Sequence, residues 1–299
     1  MLVGKTPISN LHTYMSEPEQ HNRDDDLEPL IQRMNEQFGP RREQEPSPVY
    51  GEARPLPEQS YRLRLPLGTP RAVWVLLAVN IIVFLISGAL SGNLFTPSNA
   101  ALFFLGAKVN RSIHDGEYWR LITSMFLHAN LIHVGVNCYS LYVIGPQTER
   151  FYGTPRFLAL YFISGLAGGV ASYALSASAG VGASGAIFGL VGGLAAFYYA
   201  SRKLLGEISR QQLGSLITII MINLFIGLSS GGLIDNYAHM GGLAGGLLVG
   251  WLLAPRFEVD ERLYPPEVAR RSLALGWAGA LAFLAILVFL VLTINPPIR

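Results

Sequence analysis

Gly182-Ala183-Ser184-Gly185-Ala186-Ile187-Phe188-Gly189 begins a stretch that runs to Ala200 without a charged residue. Serine among glycines in such a run is usually a device for close helix packing in membranes. The same stretch has room for chemistry. Gly182 and Gly185 let a second backbone approach Ser184. Ser184 also opens the predicted helix, where free N–H groups and the helix dipole favour negative charge. The stretch is not a strand-to-helix nucleophile elbow, which needs glycine where Ala186 stands.

Working outward, residues 184–200 are one of seven apolar runs. The others lie near 73–90, 131–144, 157–177, 213–228, 237–253 and 273–293. The second is short, but its apolar character extends backward through 121–127. Runs of this length suit about 30 Å of hydrocarbon. Composition agrees: 14% of residues are charged, where a soluble domain carries about 25%. The expected fold class is an all-α polytopic membrane protein. The first apolar run starts near Ala72, too late for a cleaved secretory signal. The single cysteine, Cys138, excludes a disulfide framework or a cysteine metal cluster, and reads as a small packed side chain.

Residues 1–70 are of different material, rich in Glu, Asp, Arg, Gln and Pro. Such a composition buries too little apolar surface to offset chain entropy, so a largely disordered region is expected. Leu27, Leu30, Ile31, Met34 and Phe38 recur at helical spacing, and Gly39-Pro40 would stop the helix. It reads either as a docking helix for a partner or the membrane surface, or as a transient helix.

Cations set the expected orientation. Arg62, Arg64 and Arg71 precede the first span, Arg150 and Arg156 lie between the second and third, and Arg202, Lys203 and Arg210 between the fourth and fifth. Arg256, Arg262, Arg270 and Arg271 lie between the sixth and seventh, whereas 176–182 and 229–236 hold no Lys or Arg. The positive-inside rule places the N-terminus in the cytoplasm and the C-terminus outside. One connection breaks the pattern. Residues 91–127 should lie outside, yet contain Lys108, Arg111 and Arg120. Their aromatics, Phe95, Phe103, Phe104, Tyr118 and Trp119, suggest a structured element at the interface.

Polar residues inside spans are expensive and usually functional. His128, His133 and Asn137 enter the second span, with His133 and Asn137 on one helix face. Two histidines and an asparagine without a nearby carboxylate make a poor metal site. Interhelical hydrogen bonding is the plainer reading. His239, Gly242 and Gly246 share a face at the start of the sixth span, and the glycines would let it press on a neighbour. Spans two, four and six all run inward from the outer face. Ser184, His239, His133 and Asn137 are therefore expected at a similar depth.

These residues resemble the rhomboid family. Gly182-Ala-Ser184-Gly185 resembles its Gly-x-Ser-Gly motif, and His239-x-x-Gly242-x-x-x-Gly246 its glycine-rich span. His128-x4-His133-x3-Asn137 resembles its second-span signature, and Trp119-Arg120 the pair in its first outer loop. The resemblance covers about 72–253. It implies a six-span core over 71–254, with 255–299 adding a cytoplasmic connection and an extra seventh helix. It also implies an intramembrane serine endopeptidase that cleaves transmembrane segments, with Ser184 as nucleophile and His239 as base. The Ser184 N–H and the side chains of His133 and Asn137 would stabilise the oxyanion, and Phe188 would pack on the base. His128, Trp119 and Arg120 would fix the loop. No cofactor, metal or nucleic acid is implied. The partners are transmembrane substrates and lipids, and the default location is a bacterial plasma membrane. Asp235, four residues before His239, is the sequence-near candidate for a third member, although loop aspartates usually cap or face solvent. A non-catalytic relative would lose the Ser or the His, and both are kept. A transporter would want charges near the midplane and repeated halves, neither of which is seen.

Overall fold

A computed structural model describes residues 67–231, 234–260, 267–270 and 274–298, together with 29, 32, 33, 36 and 37. Those five are helical and exposed. The apolar positions of the N-terminal periodicity, and the disorder expected around them, lie outside the described residues.

Among the described residues, seven long helices carry the architecture. α1 is Ala72–Ser91. Short helices α2 (Asn99–Phe104), α3 (Asn110–His114) and α4 (Arg120–Thr123) follow, then a 3-10 turn at Ser124–Phe126. Next come α5 (Leu131–Tyr152), α6 (Thr154–Leu175), α7 (Ser184–Ala200), the short α8 (Arg202–Leu205), α9 (Glu207–Ser229) and α10 (Asn236–Leu253). A two-stranded antiparallel hairpin, β1 (Phe257–Asp260) and β2 (Glu267–Arg270), leads to α11 (Ala274–Thr293). The protein is thus an all-α multi-pass membrane protein, with one small hairpin between its last two long helices.

Four of the long helices, α1, α6, α9 and α11, are long and apolar enough on their own to cross a bilayer. α7 has 17 residues, about 26 Å at the helical rise and short of about 30 Å of hydrocarbon. α10 is diluted by glycine: Gly241, Gly242, Gly245, Gly246 and Gly250 all lie in it. α7 is buried along most of its length, whereas α10 buries its glycine face and leaves Tyr237, Met240, Leu247, Leu248 and Trp251 exposed. Hydropathy understates such helices because it scores glycine for what it lacks, not for what it lets approach.

The second span differs from its sequence reading in two ways. The apolar residues 121–127 are helical in part, but they turn away from α5 by 91° rather than prolonging it. Asn130 makes the break: its backbone is extended and its side chain accepts the His133 N–H at 2.9 Å, capping α5. At the other end α5 continues past 144 to Tyr152, through Pro146. Arg150 therefore lies within a helix, and Gly153 alone separates α5 from α6.

The extended end of α5 carries a carboxylate that caps α1. Glu149 is fully buried. It accepts the N–H groups of Arg71, Ala72 and Val73 at 3.0, 2.9 and 2.9 Å, and the Thr154 hydroxyl at 2.7 Å. These are the donors that the first turn of α1 leaves without intrahelical partners. An anion at that positive end is favourable in charge as well as in hydrogen bonding.

At the core, α6, α7 and α10 pack closely. A Cβ on Gly242 would stand 2.0 Å from the Gly185 carbonyl oxygen, and one on Gly246 would stand 2.1 Å from that of Gly189. Tyr152 spans the far end of the same seam, its hydroxyl bonding the carbonyls of Gly193 and Gly250 at 2.7 and 2.9 Å.

Candidate active site

The N-terminal ends of α5, α7 and α10 meet at one end of the bundle. Ser184 is the first residue of α7, and His239 lies in the first turn of α10. The two belong to helices in backbone contact through Gly185 and Gly242, and that approach brings Ser184 Oγ within 2.9 Å of His239 Nε2. Phe188, one turn after Ser184, stacks on the His239 ring with centroids 4.4 Å apart and planes 16° apart. The stacked ring has little freedom to rotate away from Ser184.

Asp235 does not reach the other side of that imidazole. Its carboxylate accepts the Ala238 N–H at 3.1 Å, capping α10, and also accepts the Ser172 hydroxyl. His239 Nδ1 has no hydrogen-bond partner among the described residues. Among the described residues no third side chain joins the Ser184–His239 contact by a hydrogen bond.

His133 approaches from α5. A Cβ on Gly182 would lie 2.7 Å from His133 Nε2 and 3.8 Å from Ser184 Oγ. Both polar atoms thus face the space over the Gly182 α-carbon. Gly182 has φ +126°, in a region that residues with a Cβ avoid, and its N–H is held by the Ser124 carbonyl at 2.9 Å. His133 Nδ1 accepts a long hydrogen bond, 3.5 Å, from the Ala129 N–H. That leaves Nε2 on the side of the ring that faces Gly182 and Ser184. Asn137 is buried, and one amide hydrogen goes to the His133 carbonyl at 2.9 Å. α7 has no side-chain N-cap, so its first N–H groups point into this space without intrahelical acceptors.

The remaining residues form the wall. His128 is fully buried and stands edge-on to His133, ring centroids 5.2 Å apart. Arg120 is 3% exposed. It pairs with Glu117, donates to the carbonyls of Phe103 and Ala107 at 2.7 and 3.1 Å, and lies over the rings of Phe103 and Trp119. Trp119 in turn packs against Gly106, where a Cβ would stand 2.2 Å from its ring. Gly185, Gly242 and Gly246 lie in the seam between α7 and α10.

Sequence reasoning passed over Glu149, Asn110 and Tyr152. It noticed Lys108 only as a break in the charge pattern. The signal was available for Glu149, an acid near the end of an apolar run, and for Lys108. No sequence signal names the carbonyls that either side chain engages.

A polar cluster recessed at the helix ends of an apolar bundle defines the class: a multi-pass helical membrane protein with a site inside its bundle. Residues 115–256 match the Rhomboid domain family model. It is 37% identical over 180 residues to Rhomboid protease GluP of Bacillus subtilis (strain 168), covering 60% of this chain and 34% of that protein. It is 39% identical over 180 residues to RHOMBOID-like protein 5 of Arabidopsis thaliana, covering 58% of this chain and 57% of the relative. Rhomboid-like protease 3 of Toxoplasma gondii is 35% identical over 176 residues, 58% of this chain and 66% of the relative. The matches thus span between a third and two thirds of these relatives' own lengths.

Proposed function

We propose that this protein is a serine endopeptidase that cleaves transmembrane segments of other membrane proteins, with Ser184 as nucleophile and His239 as general base. The 2.9 Å contact between Ser184 Oγ and His239 Nε2 carries the reading. A serine hydroxyl is a weak nucleophile without a base within hydrogen-bond reach.

In the resting state His239 is neutral, with its proton on Nδ1 and Nε2 accepting from Ser184. Oγ attacks the scissile carbonyl while Nε2 takes the hydroxyl proton. The tetrahedral oxygen forms over Gly182, where the Ser184 N–H, His133 Nε2–H and the second amide hydrogen of Asn137 can donate to it. Collapse breaks the C–N bond, and the imidazolium returns its proton to the leaving amine. A water then repeats the sequence on the acyl-serine and frees Ser184. Removing one oxyanion donor in a serine protease costs about 2.7–4 kcal/mol of barrier.

Water must reach a site inside a bilayer protein, and the placement supports that. The pair stands at the N-terminal ends of its helices, and α7 is short, so a cavity open to one face can hydrate Ser184. The cation distribution supports an outer site, a cytoplasmic N-terminus and an outer C-terminus, and a bacterial plasma membrane is the default location. A substrate helix must unwind to offer a peptide bond, so good substrates carry helix-weakening Gly or Pro near their own outer boundary.

The test is cleavage of a reporter transmembrane substrate in proteoliposomes by the intact protein, Ser184→Ala and His239→Ala. Loss in both folded variants supports the pair. Cleavage that persists in Ser184→Ala sinks the mechanism.

A further inference from the structure

Lys108 lies outside the long helices, between α2 and α3, yet is 2% exposed. Its Nζ donates to the carbonyls of Ser172, Ser176 and Ser178 at 3.2, 3.0 and 3.0 Å. An ammonium has three N–H groups, and here each has an acceptor. Ser172 and Ser176 belong to the last turn and C-cap of α6, the negative end of the helix, where the Ser172 carbonyl also accepts the Ser176 N–H at 2.8 Å. The Lys108 backbone also pairs with Gly180, both N–H to O distances being 2.9 Å. Asn110 shares the Ser176 carbonyl at 2.9 Å, and reaches the Pro297 carbonyl beyond α11 at 2.7 Å.

The same end of α6 holds the start of α10. The Ser172 hydroxyl donates to the Asp235 carboxylate. Asp235 accepts the Ala238 N–H through its side chain and the His239 N–H through its carbonyl, the latter at 3.2 Å. Gly180 touches both charges: a Cβ there would lie 3.4 Å from the Lys108 stem and 3.5 Å from the Asp235 carboxylate.

We propose that Lys108 is a positioning residue for His239, acting through the α6 carbonyls, Ser172 and Asp235 to fix the first turn of α10. The inference rests on the reading of His239 as base. Without the ammonium, the Ser172 and Ser176 carbonyls keep only the Ser176 N–H and the Asn110 amide as donors, the Ser178 carbonyl loses its bond to Lys108, and the end of α6 loses the cation that gathers all three. Ser172 moves with that end, then Asp235, then the turn that aims Nε2 at Ser184. Lys108 touches neither Ser184 nor His239, so its loss reaches the rate through geometry rather than through substrate affinity.

The test uses the full chain in proteoliposomes with the reporter substrate, comparing wild type, Lys108→Met, Ser172→Ala and Ser184→Ala. Lys108→Met is expected to lower kcat by about tenfold or more while KM stays within about twofold, since small misplacements cost rate steeply. Labelling of Ser184 by a fluorophosphonate should slow in step. Ser172→Ala, which keeps the cation and its carbonyl bonds, should move kcat in the same direction by a smaller factor, and it decides the matter if Lys108→Met fails to fold. Wild-type kcat in the folded variants, or a loss confined to KM, overturns the proposal. Cleavage retained by Ser184→Ala would instead remove the nucleophile assignment, a separate failure read from a separate variant.

Discussion

α6 and α9 are both apolar helices of membrane-spanning length, and by hydropathy α9 is the more apolar. Yet 56% of the apolar window of α6 is buried inside the protein, against 11% for α9. The difference is in small residues. α6 presents Gly165, Ala167, Gly168 and Ala171 to α7 and α10, and a Cβ on Gly168 would meet the Ala238 carbonyl at 2.6 Å. α9 presents Ile217, Met221, Ile222, Phe225 and Leu228 outward, and a Cβ on its Gly214 would meet nothing within 4 Å. In a bilayer, apolarity does not drive burial because lipid is equally apolar. Close backbone approach does.

The comparison is broken most severely by adding one methyl on the packed side. Gly242→Ala would place Cβ 2.0 Å from the Gly185 carbonyl. The obstacle is backbone, so the helices must part. Overpacking of this kind costs about 1–3 kcal/mol or more. It also separates the two helices that carry Ser184 and His239, and displacements of about 1 Å can cost about 10²-fold in rate. The expected outcome is near-complete loss of reporter cleavage with a lowered melting temperature in detergent. Wild-type activity in a folded Gly242→Ala protein would show that the seam does not set the pair's spacing.

Gly182→Ala is expected to damage activity with less damage to the fold. The methyl would meet His133 Nε2 at 2.7 Å and force a backbone at φ +126°. The His133 ring can swing aside, so the bundle survives, but the space over Gly182 is filled. Cleavage should fall by about 10²-fold, the scale of one lost oxyanion donor, with Ser184–His239 geometry intact. Helicity and melting temperature close to wild type, beside a steep drop in kcat, would separate this effect from that of Gly242→Ala.

The same contrast explains what sequence could and could not reveal. The seven apolar runs mark the seven long helices, and Gly182-Ala-Ser184-Gly185 and His239-x-x-Gly242 fall where the structure joins α7 to α10. Their spacing is local, so a single sequence carries it. The bend before α5 was not legible, because residues 121–127 are apolar in either direction and only the Asn130 cap, with the Leu131 N–H bonded to the Phe95 carbonyl, turns the chain. Two of the three cations in 91–127 broke the charge pattern for a physical reason, while Arg111 is exposed and paired with Asp115. Lys108 and Arg120 are 2% and 3% exposed and bonded to carbonyls, so they do not face water as topology-setting charges do. Glu149 satisfies a helix end 76 residues and more away in sequence, and its partners are backbone N–H groups, which no residue pattern displays.

A smaller effect concerns pH. Burial lowers Lys108 from 10.5 to about 8, with the Asp235 carboxylate opposing the shift. Its other neighbours here, Ser172 and Asn110, are neutral. Above about pH 8 the amine keeps two N–H groups for three carbonyls, so kcat should decline in wild type and not in Lys108→Met. Stability moves the other way. The folded state releases this proton first, so between about 8 and 10.5 the unfolded chain binds more protons and Lys108 makes stability rise with pH. On the acid side, cleavage should fall as His239 takes a proton and ceases to be a base. Profiles of kcat and melting temperature from about pH 5 to 10 distinguish these contributions. An alkaline decline that persists in Lys108→Met would assign it to another group.

The smallest effect is expected on the exposed side. Gly214 in α9 has open space around its α-carbon, so Gly214→Ala meets no wall and removes only the entropic cost of glycine in a helix, up to about 1 kcal/mol. Cleavage should stay near wild type and the melting temperature should hold or rise slightly. The value of the variant is that it applies the same chemical change as Gly242→Ala to a helix of greater hydropathy. Equal damage from the two would mean that α9 is packed against something in the membrane, such as a second copy or a bound segment. Damage confined to Gly242 would mean that the glycines of α6, α7 and α10, rather than apolarity, decide which helices hold the site.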